Sequence, residues 1–324
     1  MKYEIGFHSL QGARSSNQDR VAYAERDNAV FMVLADGLGG HAGGSIAAEI
    51  ATKWSIQTFK SLKQPVITQP SAFLALTMIQ AHDQIVSYSK VKFPKMHPRT
   101  TCVYCLVQDG YAYWAHVGDS RLYHFRGDKL LERTHDHSTV EQMFLRGLIT
   151  EEDMRSHPQK NHITRCLGGN HRPEVELGNE VRLEKDDRLL LCSDGVWEAF
   201  DIDTIISFMK RQPLDEGVEE MLHTAEDKMK QVCDNITAIG LNWYDKAATN
   251  LPLQNLGSAA IDQKNLLDPV KSPSTKKKPA NKPADTTAKP TPIKQTSPSN
   301  KREEVKQEIE ELENFLANQQ KKPL

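Results

Sequence analysis

Asp36, Asp119, Asp194 and Asp234 share one local context, in which an apolar stretch meets a carboxylate beside glycine or a small polar residue: VLADGLGG, HVGDSR, LLCSDG and CDNIT. Asp19, in SSNQDR, is a fifth of similar setting. Carboxylates gathered at one point repel each other unless a cation neutralises them. An oxygen-only set without His or Cys suits Mg²⁺ or Mn²⁺ rather than zinc. Strand ends are rigid enough to make such groups converge, and glycine admits close approach of a carbonyl or a substrate. Each aspartate alone is as readily a turn or cap residue, because Asp-Gly is common in turns. Four in one setting favour a shared centre.

The elements that must position them follow from pattern. AVFMVLADG and DRLLLCSDG are short apolar runs closed by Asp-Gly, expected as buried strands. TTCVYCLVQ and YAYWAHVG flank Asp109-Gly110, and RLYHF and KLLER flank Gly127-Asp128, two hairpin signals. NITAIGLNW closes the set. GGSIAAEIATKWSIQTFKSLK and SAFLALTMIQAHDQIVSYSK are helical, with further helices between Asp201 and Gln231. The second carries Leu74, Met78, Ala81 and Ile85 on one face, a stripe that Phe73, Leu76 and Ile79 are expected to widen. Helices are grouped rather than alternating with strands, which argues for an α+β domain with largely antiparallel sheets.

Charge is unevenly spread: residues 246–324 carry 14 Lys+Arg against 9 Asp+Glu, leaving 27 against 34 for residues 1–245. An acidic body with a basic tail is not the footprint of a nucleic-acid-binding domain. The first twenty residues lack the apolar core of a signal peptide, and no apolar run approaches the ~20 residues that span a bilayer. Five scattered cysteines are a poor disulfide framework, so a cytoplasmic location is expected. Cys102 and Cys105 form C-x-x-C within a strand, where that spacing points the thiols to opposite faces.

Three segments are expected: a folded domain over 1–245, a disordered Pro/Lys/Ser/Thr-rich linker over 246–299, and a short amphipathic helix over 300–324. In the last, Val305, Ile309, Leu312 and Leu316 recur at 4, 3, 4 spacing. A helix this short needs a partner in water. That partner is a second copy or a groove on another protein, docked through 300–320, or the helix rests on the folded domain.

The pieces ARSSNQDR, VLADGLGGHAGG, RTTCVYC, AHVGDSRLY, HDHS, GLITEEDMRSHPQKNHITRCLG, LLLCSDGVWE and DNITAIGL, in this order, resemble the metal-dependent type 2C (PPM) protein phosphatases, the bacterial members above all. The resemblance implies a four-layer α-β-β-α sandwich, with two antiparallel sheets face to face and helices on both outer faces. It implies hydrolysis of phosphoserine and phosphothreonine in proteins, opposite a Ser/Thr kinase, by water activated at two Mn²⁺ or Mg²⁺ ions. In that scheme Asp36 bridges the ions, the Gly37 carbonyl helps to hold one, and Asp194 and Asp234 complete the other site. Asp19 acts through water, Asp119 and Asp194 resemble ligands of a third, weaker ion, and Arg14 binds the substrate phosphate.

Two positions depart from the animal pattern: Gln18 replaces a glutamate, and Leu38 a histidine that serves as a general acid. His41 is the substitute acid, or else caps the helix that follows. The stretch 138–169 corresponds to a flap beside the metals, which Met143, Leu145, Leu148, Ile149 and Ile163 would pack down. Two rivals stand beside this reading. One is a catalytically inactive binding module on the same fold. The other is a cysteine-dependent phosphatase, because Cys166 and Arg172 match a C-x₅-R loop.

Overall fold

Alternation along the strands decides the architecture of this computed structural model, which describes residues 1–38, 42–92, 96–245 and 315–316. These residues belong to one unit, Met1–Ala248 together with Asn314–Leu324. One sheet runs β1 (Tyr3–Leu10), β14 (Ile236–Trp243), β13 (Asp187–Cys192), β8 (Arg121–Arg126), β9 (Lys129–Arg133). The other runs β11 (Glu176–Leu177), β7 (Tyr111–Val117), β6 (Cys102–Gln108), β3 (Ala29–Ala35), β2 (Arg20–Arg26), with β12 (Val181–Arg182) also on β7. All of these pairings are antiparallel.

Between the sheets lie Val30, Met32 and Leu34 of β3, Val103 and Cys105 of β6, Leu189 and Leu191 of β13, and Ile239 and Leu241 of β14. The intervening residues face outward, as the two-residue period of a strand requires. Leu190, Cys192, Ile236 and Ala238 meet α6 (Ile202–Met209) and α7 (Leu214–Met229). On the opposite outer face Phe31, with the Tyr104 ring edge-on to it, meets Phe59 of α1 (Ala42–Ser61) and Phe73 of α2 (Pro70–Lys92). The four layers are therefore helices, sheet, sheet, helices, the α-β-β-α order expected. Asp109 and Gly110 both take positive φ, 53° and 83°, the two-residue turn that matches strand twist.

Cys102 and Cys105 are buried free thiols, and Cys105 lies in the inter-sheet core. Leu74, Met78, Ala81 and Ile85 are buried, but Leu76 is exposed. Two residues on from Leu74 a helix has turned roughly 200°, so Leu76 could not widen that stripe. Leu145 and Leu148, expected to pack the flap down, are likewise exposed. Val140 and Met154, from α3 (Thr139–Leu145) and α4 (Glu151–Ser156), are buried there instead.

The expected linker and most of the terminal helix lie outside the described residues. Phe315 and Leu316 are helical; Leu316 is fully buried, and the Phe315 ring stands edge-on to Tyr88 of α2 at 5.2 Å. Among the described residues no helix is long and apolar enough to cross a membrane.

Candidate metal centre

Antiparallel pairing puts the end of one strand beside the start of its neighbour, and this collects the carboxylates at one edge of the sandwich. Asp36 follows β3, Asp119 follows β7 and Asp194 follows β13. Asp19 and Asp234 instead precede β2 and β14, so the expected apolar-strand-then-aspartate order does not hold for Asp234. Register explains the convergence: Arg20 pairs with Ala35, placing Asp19 beside Asp36. Cys192 pairs with Ala238, placing Asp194 near the start of β14.

Asp36, Gly37, Asp119, Asp194, Asp234 and Arg14 line one cavity of about 200 Å³. At a liquid share of about 30 Å³ per water, it accommodates ions with their waters. Asp19 lies behind it, 3 % exposed, with its Oδ2 accepting a hydrogen bond from Ser193 Oγ at 2.8 Å. Its Oδ1 and the Oδ1 of Asp119 are buried with no hydrogen-bond partner. Such oxygens are costly unless something electropositive meets them. Burial, then the surrounding carboxylates, pushes Asp36 and Asp194 well above the usual carboxylate range. Burial and the nearby Asp136 push Asp119 up to about 7. An all-oxygen, mutually repelling set with orphaned lone pairs fits hard divalent cations.

The backbone around these groups is tightly held. Asp36 donates its N–H to Thr101 Oγ1 at 3.2 Å, and its carbonyl accepts from Thr101 N at 2.8 Å and Thr100 Oγ1 at 2.7 Å. A side chain at Gly37 would lie 2.4 Å from the Gly44 carbonyl carbon, so glycine here lets α1 close on the Asp36 loop. Trp197 Nε1 donates to the Asp119 carbonyl at 3.1 Å. His137 Nδ1 accepts from Gly118 N–H at 3.1 Å, which leaves its Nε2 to donate to Glu176 at 3.1 Å. His116, His137 and Glu176 offer ligand atoms within 4.8 Å of one another. With both His137 nitrogens engaged, the trio is explained as a brace for the Asp119 loop.

Arg14 reaches Asp234 through two hydrogen bonds, Nε to Oδ1 at 2.7 Å and Nη2 to Oδ2 at 2.5 Å, with its side chain 56 % exposed. The loop that presents it depends on Asn235, whose Nδ2 donates to the carbonyls of Gln11 and Ser16 and whose Oδ1 accepts from Gln18 N. Gly12 has φ +60°, and a Cβ there would lie 2.1 Å from the Asp234 carbonyl oxygen. Asn235, Ser193 and the Thr100-Thr101 pair were missed in the sequence. The Asn next to Asp234 was the one available signal. Asn161 and Ile163 of the flap also line the cavity. His41 lies outside the described residues.

Cys166 does not fit a phosphatase nucleophile. Burial pushes its thiol up, and the nearby Arg99 only partly offsets this, whereas a nucleophile needs a depressed pKa. Cys166→Ser should retain turnover within about twofold, because a thiolate mechanism would lose nearly all of it. Steady-state rates on a phosphopeptide decide the point.

Comparison with known proteins agrees with this geometry. The protein phosphatase 2C model PP2C_2 matches residues 8–235. The chain is 33 % identical over 185 residues to the serine/threonine phosphatase Stp of Listeria monocytogenes, covering 56 % of this chain and 73 % of that one. The crystal structure of the serine/threonine phosphatase Stp1 from Staphylococcus aureus superposes with TM-score 0.69 at 29 % identity, over 76 % of this chain and 96 % of that one. The catalytic domain of the phosphatase PstP in complex with two manganese ions superposes with TM-score 0.64 at 25 % identity, over 75 % and 99 %. The chain belongs to the protein phosphatase 2C family of metal-dependent serine/threonine phosphatases.

Proposed function

We propose that the chain dephosphorylates phosphoserine and phosphothreonine in proteins of the cytoplasm, opposite a Ser/Thr kinase, with the residue roles given below. The observation that carries the reading is the collection of Asp19, Asp36, Asp119, Asp194 and Asp234, from separate strands, at one edge with Arg14 beside them. Asp36, the Gly37 carbonyl, Asp194 and Asp234 would hold two Mn²⁺ or Mg²⁺ ions, with Asp19 acting through water and Asp119 with Asp194 serving a third. When bound, the ions activate water for in-line attack and neutralise phosphate charge. Thr100 and Thr101 fix the Asp36 backbone, and Ser193 the Asp19 carboxylate, so that these groups do not move as charge develops.

Arg14 orients the phosphoryl group. Its Nη1 has no partner among the described residues, and the bidentate grip of Asp234 fixes the plane of the guanidinium. Arg14→Ala should raise KM for a phosphothreonine peptide roughly tenfold with Mn²⁺ affinity little changed, and Arg14→Lys should not restore it, for want of the planar fork. A collapse of Mn²⁺ affinity, read by calorimetry, would make Arg14 a prop for Asp234 instead. His41 is assigned as the proton donor to the leaving alkoxide. The segments 246–299 and 300–324 are assigned as a spacer and a docking helix.

The test of the whole reading is hydrolysis of phosphothreonine and phosphotyrosine peptides with Mn²⁺, Mg²⁺ or EDTA. Turnover of the phosphothreonine peptide that EDTA abolishes supports it. Metal-independent turnover, or none, refutes it.

A further inference from the structure

We infer that the groove beside the metal centre, walled by Arg99, Arg165 and Arg172, binds acidic residues that flank the phosphorylated residue of a protein substrate. This rests on the phosphatase reading and extends it to substrate choice. The groove has a volume of about 670 Å³, against about 200 Å³ for the metal cavity, and Ile163 lines both. A phosphoryl group fills the smaller space, and the larger one, sharing Ile163 with it, lies where one flank of the peptide can pass.

The charge of that wall is the second observation. Arg99, Arg165, Arg172, His97 and His171 line the groove against one carboxylate, Glu174. Residues 1–245 as a whole hold 27 Lys+Arg against 34 Asp+Glu, so this cationic patch runs against the balance of the domain. Arg165 is satisfied by Glu174 at 2.9 Å. Arg99 and Arg172 make no ion pair among the described residues and are exposed. Unpaired cations in a concave wall offer complementarity to carboxylates and suppress basic competitors.

The third observation fixes the groove relative to the chemistry. Arg99 belongs to β5 (Arg99–Thr100), which pairs with β4 (Gly37–Leu38) on one side and β10 (Leu167–Gly168) on the other. Leu38 faces Arg99 in that register, and the adjacent Thr100 holds the Asp36 carbonyl. The arginine stem lies over Gly169, where a Cβ would come within 3.4 Å of Arg99 Cδ. The cation is thus carried on the same small sheet as the Asp36 loop, and binding in the groove sets the register of the peptide over the ions.

The test uses the full-length protein with Mn²⁺ and three substrates: p-nitrophenyl phosphate, a phosphothreonine peptide flanked by alanine, and the same peptide flanked by glutamate. The wild type should favour the glutamate peptide roughly tenfold in kcat/KM, mostly through KM, since exposed pairs are each worth only a small factor. Raising ionic strength should erase the preference. Arg99→Glu with Arg172→Glu should abolish or invert it while p-nitrophenyl phosphate turnover stays within about twofold of wild type. Arg99→Gln with Arg172→Gln, which adds no repulsion, should give the smaller loss in the same direction. Equal use of both peptides by the wild type, or a preference kept by both double variants, overturns the inference while p-nitrophenyl phosphate turnover keeps the phosphatase reading. Loss of p-nitrophenyl phosphate turnover in both variants also overturns it, by assigning the arginines to the fold. No turnover of any substrate by the wild type sinks the phosphatase reading itself.

Discussion

Asp36→Asn is expected to lose at least about 10³-fold in kcat/KM with saturating Mn²⁺, yet to melt above the wild type in EDTA at pH near 8. Both halves come from one feature. Asp36 is crowded by Asp19, Asp194, Asp119 and Asp234 at a half-buried position lining the cavity, so its charge is costly without a cation. A neutral amide removes that repulsion and also the ligand that the ions need. Activity sites commonly carry such a stability cost. Near-normal turnover would remove Asp36 from the centre. A lower melting temperature in EDTA would show that the carboxylate serves the fold.

Stripping the metal from the wild type should abolish turnover and make stability depend on pH in an unusual direction. Asp119 is pushed up to about 7 in the folded chain, and Asp19 is also raised, chiefly by burial. An unfolded aspartate titrates near 3.9. Between those values the folded state binds more protons than the unfolded one, so stability is highest at low pH and is lost as pH rises through about 7. The melting temperature in EDTA should therefore fall from about pH 5 to 8. Mn²⁺ must displace those protons, so its affinity and its stabilisation should grow over the same range. At a hundred times Kd the gain is about 2.7 kcal/mol, on the order of 5–10 °C for a domain of this size. Melting curves that rise with pH in EDTA, or a Mn²⁺ shift that shrinks with pH, would mean that these aspartates are not mutually strained.

Much of this was legible in the residues because burial writes itself into spacing. Leu74, Met78, Ala81 and Ile85 recur at helical intervals and are fully buried. The Asp109-Gly110 turn is local chemistry and was read from two residues. β1 and β2 were not read. Each is an edge strand, with only β14 or β3 as partner, and each is half-buried along most of its length. An edge strand that is only half covered lacks the continuous apolar run that marks β3 and β13. Leu76 shows the converse failure, an apolar side chain near a stripe that the helix turns away from it. At the site, Asp36 and Asp194 announced themselves through apolar strands ending in Asp-Gly. Thr100, Thr101 and Asn235 act through backbone hydrogen bonds, which leave no spacing rule behind.

The resting place of Phe315 against Tyr88 changes what the chain between them means. With Leu316 fully buried next to it, that contact holds this short stretch to the folded domain, to which it is also joined covalently along the chain. An interface as small as Phe315 and Leu316 provide would not survive dilution between separate molecules. Along a single chain its local concentration is set by the tether, on the order of millimolar for short flexible ones and lower for longer. The same arithmetic makes the contact exchangeable, since a segment with a matching apolar pair and a higher local concentration competes for the same place. A single backbone break between the folded domain and Phe315 would turn an intramolecular equilibrium into a bimolecular one, so chain continuity itself is part of what holds Phe315 and Leu316 in place.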